Sequence, residues 1–432
     1  MTTMYDCLKI ENGRLHIGGA DTVEIASEYG TPAYVLSEDY IRRVCGIYVS
    51  AMKEAFAPGS MPLYASKACS FAEMYRIVGS EGMGADTVSP GEIYTAEKAG
   101  FDMSKTFFHG NNKTDEDILF AVRHRVGRIV ADSMEELDAI DSICGRLSVK
   151  QRVLLRLTPG IDPHTFKAVS TGIVDSKFGM AITNGAAEKL LRHALGKKNI
   201  TVEGFHCHIG SQVWEAEHYS EAAERMISFA AEMKEKLGYT PEYLNLGGGF
   251  AVPYTSDEKM PDYRAQILSI GKSVKALSEK YSVKEPKILL EPGRSIVAAA
   301  GITLYTVGTV KEIEGVRNYV SIDGGMTDNP RFALYGSVYE ATKCDGADKP
   351  RDYKCTIAGR CCESGDIIGE NMMIQKPKRG DVIAVFTTGA YNYSMASNYN
   401  RIPRPPVIVV KDGRARVAVA RESYDDLVRN DI

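Results

Sequence analysis

The chain has 432 residues, 44% of them hydrophobic and 25% charged, which argues against a disordered or fibrous protein and predicts two globular domains. Because 52 Lys and Arg residues nearly balance 56 Asp and Glu residues, its charge favours neither a nucleic acid nor an anionic membrane as partner. Its longest apolar stretch, near residues 296–305, is much shorter than the roughly 20 residues that cross a bilayer. Nine cysteines, an odd number without disulfide-scaffold spacing, favour reduced thiols in the cytoplasm.

The first thirty residues predict a β-hairpin. Apolar and polar residues alternate on both sides of Asn12-Gly13, and an Asn-Gly pair is a strong signal for a two-residue hairpin turn. We expect residues 1–30 to form this hairpin and to be part of a β-domain rather than the start of a barrel.

Residues 31–300 have the alternating texture of an α/β protein. Eight short apolar runs alternate with segments of helical periodicity, and this count over about 260 residues predicts a TIM (β/α)8 barrel. The predicted strands are Leu63 to Lys67, Met83 to Ser89, Thr106 to Gly110, Arg128 to Ser133, Val153 to Pro159, Val202 to Ser211, Tyr243 to Gly249 and Lys287 to Arg294.

Residues 301–432 predict a second, mostly β domain. Helical periodicity largely disappears after Ser295, and strand-like runs are separated by Gly, Pro and charged turns. These runs are Leu304 to Ile313, Tyr319 to Asp323, Tyr353 to Ala358, Asp381 to Thr388, Val407 to Val410 and Arg416 to Val419.

Polar residues at the carboxyl ends of barrel strands are the first candidates for a functional site. Lys67 ends the first predicted strand and, by strand alternation, shares a face with Ala65. Glu291 ends the eighth predicted strand, which neighbours the first when a barrel closes. We therefore expect Glu291 to approach the same ligand as Lys67.

The sixth predicted strand ends with His206 and His208, two residues apart and therefore on one face. A His-x-His pair on a strand is a familiar pair of metal ligands. No histidine follows in the seventh strand, the eighth strand or the C-terminal domain, so we expect no metal. Instead, we expect one ring of the pair to be a hydrogen-bonded core histidine and the other to stack on a cofactor.

Glycine-rich loops follow the seventh and eighth strands, where TIM barrels most often bind phosphate. Gly247-Gly248-Gly249 ends the seventh strand, and Gly293-Arg294 ends the eighth. Glycine allows backbone amides to approach phosphate oxygens closely. A lysine, a phosphate cradle, a stacking ring and a carboxylate together indicate a pyridoxal phosphate site, in which the carboxylate keeps the pyridine nitrogen protonated.

Seven stretches in order make the chain resemble the fold-type III pyridoxal phosphate decarboxylases, and most closely the diaminopimelate decarboxylase family, over nearly its whole length. Three positions depart from the family pattern: Ser66 stands where the family usually has valine, Cys69 where it has asparagine and Pro330 where it has isoleucine. None of these differences removes a chemical group that the expected mechanism needs. The stretches are residues 64–68 (YASKA), 206–212 (HCHIGSQ), 247–249 (GGG), 291–294 (EPGR), 328–335 (DNPRFALY), 362–366 (CESGD) and 391–400 (YNYSMASNYN).

The resemblance implies a role for each matching residue. It implies that Lys67 forms the Schiff base with pyridoxal 5'-phosphate, that His208 stacks on the ring and that Glu291 pairs with the pyridine nitrogen. It implies that Cys362, rather than its neighbour Cys361, donates a proton. The residues that it assigns to the phosphate are Ser211, Gly248, Gly249 and Gly293. Those that it assigns to the substrate are Arg294, Arg331, Tyr335, Glu363 and Tyr391, of which Arg294 and Tyr391 also bind the cofactor.

The expected reaction is decarboxylation of meso-2,6-diaminopimelate to L-lysine and carbon dioxide, the last step of lysine biosynthesis. Two arginines and a glutamate suit a substrate whose distal end carries both carboxylate and ammonium. The main alternative keeps the fold and decarboxylates lysine, ornithine or carboxynorspermidine. A racemase, an inactive binding homologue and a metal hydrolase are weaker alternatives.

The resemblance also implies a homodimer with shared active sites. Lys67, His208 and Glu291 belong to the predicted barrel, whereas Cys362 and Glu363 belong to the β-domain and in the family reach the partner's site. Closed two-fold symmetry is the commonest way to give each chain such a neighbour. A β-domain that folds over its own barrel is the alternative.

Overall fold

The computed structural model describes residues 5–161 and 177–432, so residues 1–4 of the predicted hairpin segment and 162–176 of the predicted barrel domain lie outside the described residues. The chain divides into two compact units. The first, which we call the β unit, contains Met1–Arg43, Val252–Met260 and Ile296–Ile432. The second, which we call the barrel unit, contains Val44–Ala251 and Pro261–Ser295.

The predicted hairpin is present at the start of the β unit. Strands β1 (Leu8–Glu11) and β2 (Arg14–Ile17) pair antiparallel, and Asn12 and Gly13 both have positive φ, as a tight hairpin turn requires. Strand β3 (Ala20–Asp21) pairs with β2 and completes a three-stranded sheet. Helix α1 (Thr22–Tyr29) follows, and the Asp21 side chain caps its first backbone amides.

The first strand after the hairpin differs from our expectation. Strand β4 (Ala33–Ser37) falls in the predicted barrel domain, but it pairs with two strands of the β unit, β14 (Gly301–Ile313) and β20 (Val407–Lys411). All five of its residues are buried. A short apolar run looks the same in either sheet, so the sequence pattern could not identify its partners. Helix α2 (Glu38–Ala55) then leads from one unit to the other.

Eight parallel strands form the predicted TIM barrel, and the α/β fold class is confirmed. Strand β9 pairs with both β8 and β11, which closes the ring, and β13 pairs with β5 as expected for the last and first strands. A two-residue strand, β10 (Met180–Ala181), pairs with the end of β9. The barrel strands are β5 (Met61–Ala65), β6 (Gly84–Thr87), β7 (Thr106–Phe108), β8 (Arg128–Ala131), β9 (Gln151–Thr158), β11 (Ile200–His206), β12 (Tyr243–Asn245) and β13 (Lys287–Leu290).

Helices follow most of these strands, and polar caps fix where several of them begin. Ser89, Thr114, Ser133 and Asp262 each accept a hydrogen bond from the backbone amide three residues later. The helices are α3 (Ala72–Ser80), α4 (Pro90–Lys98), α5 (Asp115–Arg123), α6 (Met134–Leu147), α7 (Ala186–Leu195), α8 (Ala216–Leu237), α9 (Tyr263–Lys280) and α10 (Arg294–Val297).

The rest of the β unit is a large mixed sheet. Its order is β18-β17-β15-β14-β4-β20-β21, with β19 paired to β14 and β16 paired to β19. All six predicted strands are present, but β16 and β18 were not predicted. The strands are β14 (Gly301–Ile313), β15 (Arg317–Ile322), β16 (Ala341–Lys343), β17 (Tyr353–Ala358), β18 (Ile367–Ile374), β19 (Val382–Val385), β20 (Val407–Lys411) and β21 (Arg414–Val419).

Three short helices complete the β unit: α11 (Arg331–Tyr335), α12 (Asn392–Met395) and α13 (Tyr424–Val428). The first two begin within or beside predicted substrate-binding motifs. In the described parts of the chain, none of the helices combines the length and hydrophobicity needed to cross a membrane.

Candidate active site

The strands of the barrel end earlier than predicted, which changes how two candidate residues are placed. Strand β5 ends at Ala65, and Lys67 lies in a short 3-10 turn, exposed between buried Ser66 and Ala68. Strand β11 ends at His206, so His208 lies beyond it. Strand alternation therefore does not orient Lys67 or His208, and their positions depend on contacts between loops.

Close backbone packing joins the Lys67 turn to the loop that carries Glu291. The backbone amide of Ala65 donates to the carbonyl oxygen of Pro292 at 3.1 Å. A Cβ atom on Gly293 would lie 2.8 Å from the Cβ of Ala65, so only glycine fits there without displacing a neighbour. These contacts hold the ends of β5 and β13 side by side, as the predicted approach of Glu291 to the Lys67 region requires.

Glu291 is buried, and three nitrogen-bearing side chains from the ends of other strands surround its carboxylate. Asn245 Nδ2 donates to Glu291 Oε1 at 2.6 Å, while His206 Nε2 lies 3.3 Å from Oε2. His109 Nε2 lies 3.0 Å from Oε1 and 3.7 Å from an oxygen of Asp86. All five residues are buried, and together they form the Glu291 cluster.

The environment of this cluster keeps Glu291 ionised. Burial raises the pKa of Glu291, but the imidazoles of His109 and His206 lower it by more, so the pKa lies well below its usual range. Burial lowers the pKa of His206 to about 4, so its ring is neutral at pH 7. Burial raises the pKa of Asp86 instead. Two neighbouring carboxyl groups thus have pKa values shifted in opposite directions, a pattern typical of active sites.

His109, His206 and Glu291 also form the kind of group that a metal ion uses. Their ligand atoms lie within 4.8 Å of one another. However, His206 Nε2 and Asn245 Nδ2 already hydrogen-bond the Glu291 carboxylate at 3.3 and 2.6 Å, and His109 Nε2 lies 3.0 Å from it. This arrangement favours a carboxylate held by nitrogen donors, and the expected lack of a metal stays a prediction.

The two histidines of the HCHIGSQ stretch have different surroundings. His206 belongs to the Glu291 cluster and is the hydrogen-bonded core histidine that we expected of one member of the pair. His208 is half-buried, and burial lowers the pKa of its ring well below the usual value. Cys207 between them is buried, and burial raises its thiol pKa to about 12. His208 is therefore the candidate for a neutral stacking ring.

The glycines that we assigned to phosphate also have a packing role. A Cβ atom on Gly248 would lie 2.0 Å from the backbone oxygen of Glu291, and one on Gly249 would lie 2.1 Å from that of Gly210. Gly249 has φ +105, which other residues rarely adopt. The loops after β11, β12 and β13 therefore pack backbone against backbone, and this packing requires glycine whether or not a phosphate binds.

A cation and a hydroxyl meet beside these loops. Arg294 is buried, and its Nη2 donates to Ser211 Oγ at 2.9 Å. An arginine, a serine hydroxyl and glycine-rich backbone form a donor set that suits a phosphate dianion. Lys67, Glu291, His208 and this donor set all belong to the barrel unit.

The predicted substrate residues Arg331, Tyr335 and Tyr391 lie together in the β unit. The guanidinium of buried Arg331 lies 5.1 Å from the ring centre of Tyr335 and 4.9 Å from that of Tyr391. Tyr391 has φ 70, an unusual conformation for a bulky residue and one that clusters at functional sites. A guanidinium pairs bidentately with carboxylates, so Arg331 is the candidate here for recognising a carboxylate.

Cys362 and Glu363 are exposed on a separate loop of the β unit, between β17 and β18. The Cys362 amide donates to Asn400 Oδ1 at 3.0 Å. Cys361 is half-buried, and burial raises its thiol pKa to about 12, so it is a poor proton donor at neutral pH. The exposed thiol of Cys362 is the better candidate of the adjacent pair.

Asp366, which belongs to the matching stretch 362–366 but received no predicted role, organises this loop. Asp366 is buried, and its carboxylate accepts hydrogen bonds from the amides of Cys361 at 2.7 Å and Met326 at 2.5 Å. It thereby ties the cysteine loop to the segment that leads to Arg331. His109 and Asn245 were also missed, although each directly follows or ends a barrel strand, which is the signal that could have identified them.

Comparisons with known proteins identify the class to which the chain belongs. Residues 47–298 match the family model for the pyridoxal binding domain of pyridoxal-dependent decarboxylases. The chain is 45% identical over 412 residues to the diaminopimelate decarboxylase of Bacillus methanolicus, covering 95% of each chain. It is 42% identical over 425 residues to that of Bacillus subtilis, covering 98% of this chain and 96% of the relative. The M. jannaschii diaminopimelate decarboxylase, solved in complex with L-lysine, superimposes with a TM-score of 0.91 at 35% identity, covering 100% and 99% of the two chains.

A closed barrel with a lysine after its first strand, a buried carboxylate after its eighth and a matching cofactor-binding domain define a pyridoxal phosphate-dependent decarboxylase of fold type III. The donor set fits that cofactor, because the ionised Glu291 suits a protonated pyridine nitrogen and the Arg294 and Ser211 pair suits a phosphate. Within this class, the chain belongs to the diaminopimelate decarboxylase family.

Proposed function

We propose that this chain uses pyridoxal 5'-phosphate to convert meso-2,6-diaminopimelate to L-lysine and carbon dioxide, the last step of lysine biosynthesis. The observation that carries the proposal is 45% identity to a diaminopimelate decarboxylase over 95% of both chains. The Glu291 cluster supports the assignment of the cofactor, and the Arg331 guanidinium supports the assignment of the substrate.

The residues of the barrel unit hold the cofactor. We assign Lys67 as the point of covalent attachment, His208 as the stacking ring and Glu291 as the partner of the pyridine nitrogen. When bound, the cofactor supplies an electron-accepting ring for the electron pair that remains after carbon dioxide leaves. The residues that we assign to its phosphate are Ser211, Gly248, Gly249, Gly293 and Arg294.

The residues of the β unit recognise the substrate and complete the proton transfer. Arg331, held between Tyr335 and Tyr391, pairs with the distal carboxylate, and Glu363 pairs with the distal ammonium. The Cys362 thiol delivers a proton to the carbon that loses its carboxylate. Arg294 lies in the barrel unit and also contributes to the substrate's binding.

Substrate choice separates this proposal from its main alternative. Lysine and ornithine have no distal carboxylate, so a buried arginine placed for that group would be poorly matched to them. Purified protein supplied with pyridoxal phosphate should release carbon dioxide from meso-diaminopimelate much faster than from lysine, ornithine or carboxynorspermidine. Faster release from any of the other three would overturn the substrate assignment while leaving the decarboxylase class intact.

We infer that the working unit is a homodimer with shared active sites. Leu334 and Val338 are each 58% exposed, and Tyr335 beside Arg331 is also exposed, so the β unit presents apolar side chains that suit a partner surface. In this arrangement, Cys362 and Glu363 of one protomer serve the barrel unit of the other.

Mixing two inactive variants tests the dimer. Lys67→Ala and Cys362→Ala proteins, co-refolded, should regain part of the wild-type activity, because a hybrid dimer rebuilds one complete site. If hybrids form but stay as inactive as the parent variants, Cys362 acts within its own subunit.

We also infer a cytoplasmic location. The nine cysteines are free thiols, and Cys362 is exposed, so the proposed chemistry of its thiol needs a reducing compartment.

A further inference from the structure

We propose that His109 is a positioning residue: its Nε2 atom lies 3.0 Å from the buried carboxylate of Glu291 and 3.7 Å from that of Asp86, and it orients Glu291 toward the cofactor's pyridine nitrogen. The inference deepens the proposed function and rests on it, because that function is what gives Glu291 a pyridine nitrogen to pair with.

The contacts of Glu291 are unequal. Oε1 has two nitrogen neighbours, Asn245 Nδ2 at 2.6 Å and His109 Nε2 at 3.0 Å, whereas Oε2 has His206 Nε2 at 3.3 Å. Asn245 Oδ1 accepts from the amide of Gly247 at 2.9 Å, which turns the amide nitrogen toward Glu291. A carboxylate has about four acceptor positions, so these contacts fix its orientation and leave capacity for one more donor.

His109 is itself held firmly. Its backbone amide donates to the carbonyl oxygen of Thr87 at 2.8 Å, which ties it to the end of β6. The buried Lys113 ammonium in the same loop donates to the carbonyl oxygens of Gly110 and Val130 and pairs with Glu136 at 2.7 Å. The His109 ring packs edge-on against His206, with ring centres 4.9 Å apart. The backbone of His109 is therefore held at the end of β6, and its ring packs against His206 with Nε2 facing both carboxylates.

The position of His109 beside the carboxylates of Asp86 and Glu291 affects the ionisation of both groups. Two close, buried carboxyl groups disfavour double ionisation, so one of them tends to take up a proton. A nitrogen donor between them favours ionisation, and here the pKa of Glu291 is lowered whereas burial raises that of Asp86. Among the described residues, charged and titratable groups that act on this cluster from outside it include Lys67, Glu92, Asp132, Arg156, Cys207 and His208.

His109→Phe removes the nitrogen but keeps a ring against His206. Without that donor, we expect protonation of Glu291 at higher pH, so the pH at which the visible absorption of the bound cofactor changes should rise by about one unit relative to wild type. The kcat for meso-diaminopimelate should fall about tenfold with little change in KM, because the distal-end residues are untouched. His109→Gln keeps a side-chain N–H. Its spectral transition and its kcat should therefore lie closer to the wild-type values than those of His109→Phe.

Two further variants sharpen the test. Asp86→Asn in the His109→Phe background removes the second carboxylate and should move the spectral transition back toward the wild-type pH. His193→Phe changes a half-buried histidine of α7 in place of His109 and is the matched control that should leave the spectrum unchanged. If His109→Phe does not fold, His109→Ala with and without added imidazole replaces it, and imidazole should shift the transition toward wild type.

A wild-type spectral transition in His109→Phe would overturn the positioning role, as would equal damage in His109→Phe and His109→Gln. The spectral readout needs only bound cofactor. If wild-type protein binds pyridoxal phosphate but does not decarboxylate meso-diaminopimelate, the proposed substrate fails, whereas the spectra of the variants still decide the role of His109.

Discussion

The Glu291 cluster of the barrel unit and the proposed substrate-binding residues of the β unit are built in opposite ways. In the cluster, buried side chains from the ends of five barrel strands lie close to one another. In the β unit, Cys362, Glu363 and Tyr335 are exposed, and only Arg331 is buried among them. The difference suggests that the reaction common to the class depends on a rigid, preorganised site, whereas substrate choice depends on accessible loops.

The largest expected effect comes from breaking the barrel site at Lys67. Lys67→Ala should lower turnover by at least about a thousandfold, since it removes the proposed attachment point and an amine at the reacting centre. Borohydride reduction and peptide mapping of the wild-type protein should find the pyridoxyl group on Lys67. Lys98→Ala, an exposed lysine at the end of α4, is the control. Label on a different lysine would contradict the assignment.

The next effect tests whether the β unit chooses the substrate. Arg331→Ala should weaken transition-state stabilisation for meso-diaminopimelate by about 2 to 5 kcal/mol, because a buried substrate charge loses its partner. Cofactor affinity should stay near the wild-type value. Steady-state kinetics and cofactor titration measure the two separately, with exposed Arg317→Ala as the matched arginine control. Unchanged kinetics in Arg331→Ala would show that other residues recognise the distal end of the substrate.

The adjacent cysteines allow a comparison within the β unit. Cys362→Ala should lower kcat about a hundredfold, because a positioned proton donor is lost. Cys361→Ala should have little effect on kcat, since burial raises the pKa of that thiol to about 12 and its side chain is half-buried. Measured kcat values at pH 7 to 8 decide between them. A larger loss of kcat in Cys361→Ala than in Cys362→Ala would assign the proton donor to Cys361.

The smallest expected effect concerns the stability of the barrel unit at acid pH. The pKa of His206 is about 4 in the folded chain and near 6.5 when unfolded, so the unfolded state binds the extra proton between these values and stability falls as pH decreases. Lowering the pH from 6.5 to 5.5 should cost about 1 kcal/mol through this residue.

Urea unfolding at a series of pH values measures that loss. His206→Gln keeps a side-chain N–H but cannot titrate, so its stability should depend less on pH over this range. An identical pH dependence in wild type and variant would show that another group titrates.

Periodicity and turn signals predicted most of the fold. The eight barrel strands were recognisable because buried parallel strands read as short apolar runs between helical segments. The run at 33–37 has the same appearance, but its partners β14 and β20 are set by tertiary pairing that no local pattern encodes. Strand β16 has three residues, and β18 is interrupted by Glu370 and by Asn371 with positive φ, so both lacked a clear signal.

Site residues that belong to contiguous sequence motifs could be predicted. Residues that come together only through folding could not be assigned a role. Lys67, Glu291 and the glycine loops stand in recognisable stretches. His109 follows a short strand and Asn245 ends one, a position that makes both of them candidates. Their role, however, depends on distances to Glu291 that the sequence does not reveal. Strand alternation alone also could not decide which histidine of the HCHIGSQ stretch is buried, whereas the resemblance assigned His208 to the cofactor ring. In the structure β11 ends at His206, and His206 is the buried one.

One measurement tests the proposed reaction most directly. Wild-type protein with pyridoxal phosphate is incubated in D2O with meso-diaminopimelate carrying carbon-13 in both carboxyl groups, and the products are followed by NMR and mass spectrometry. The account predicts one labelled carbon dioxide for each L-lysine, with one labelled carboxylate retained and one deuteron at the carbon that lost the other. Recovery of both labelled carboxylates in a product with deuterium beside one of them would indicate racemisation and would contradict the assignment as a decarboxylase.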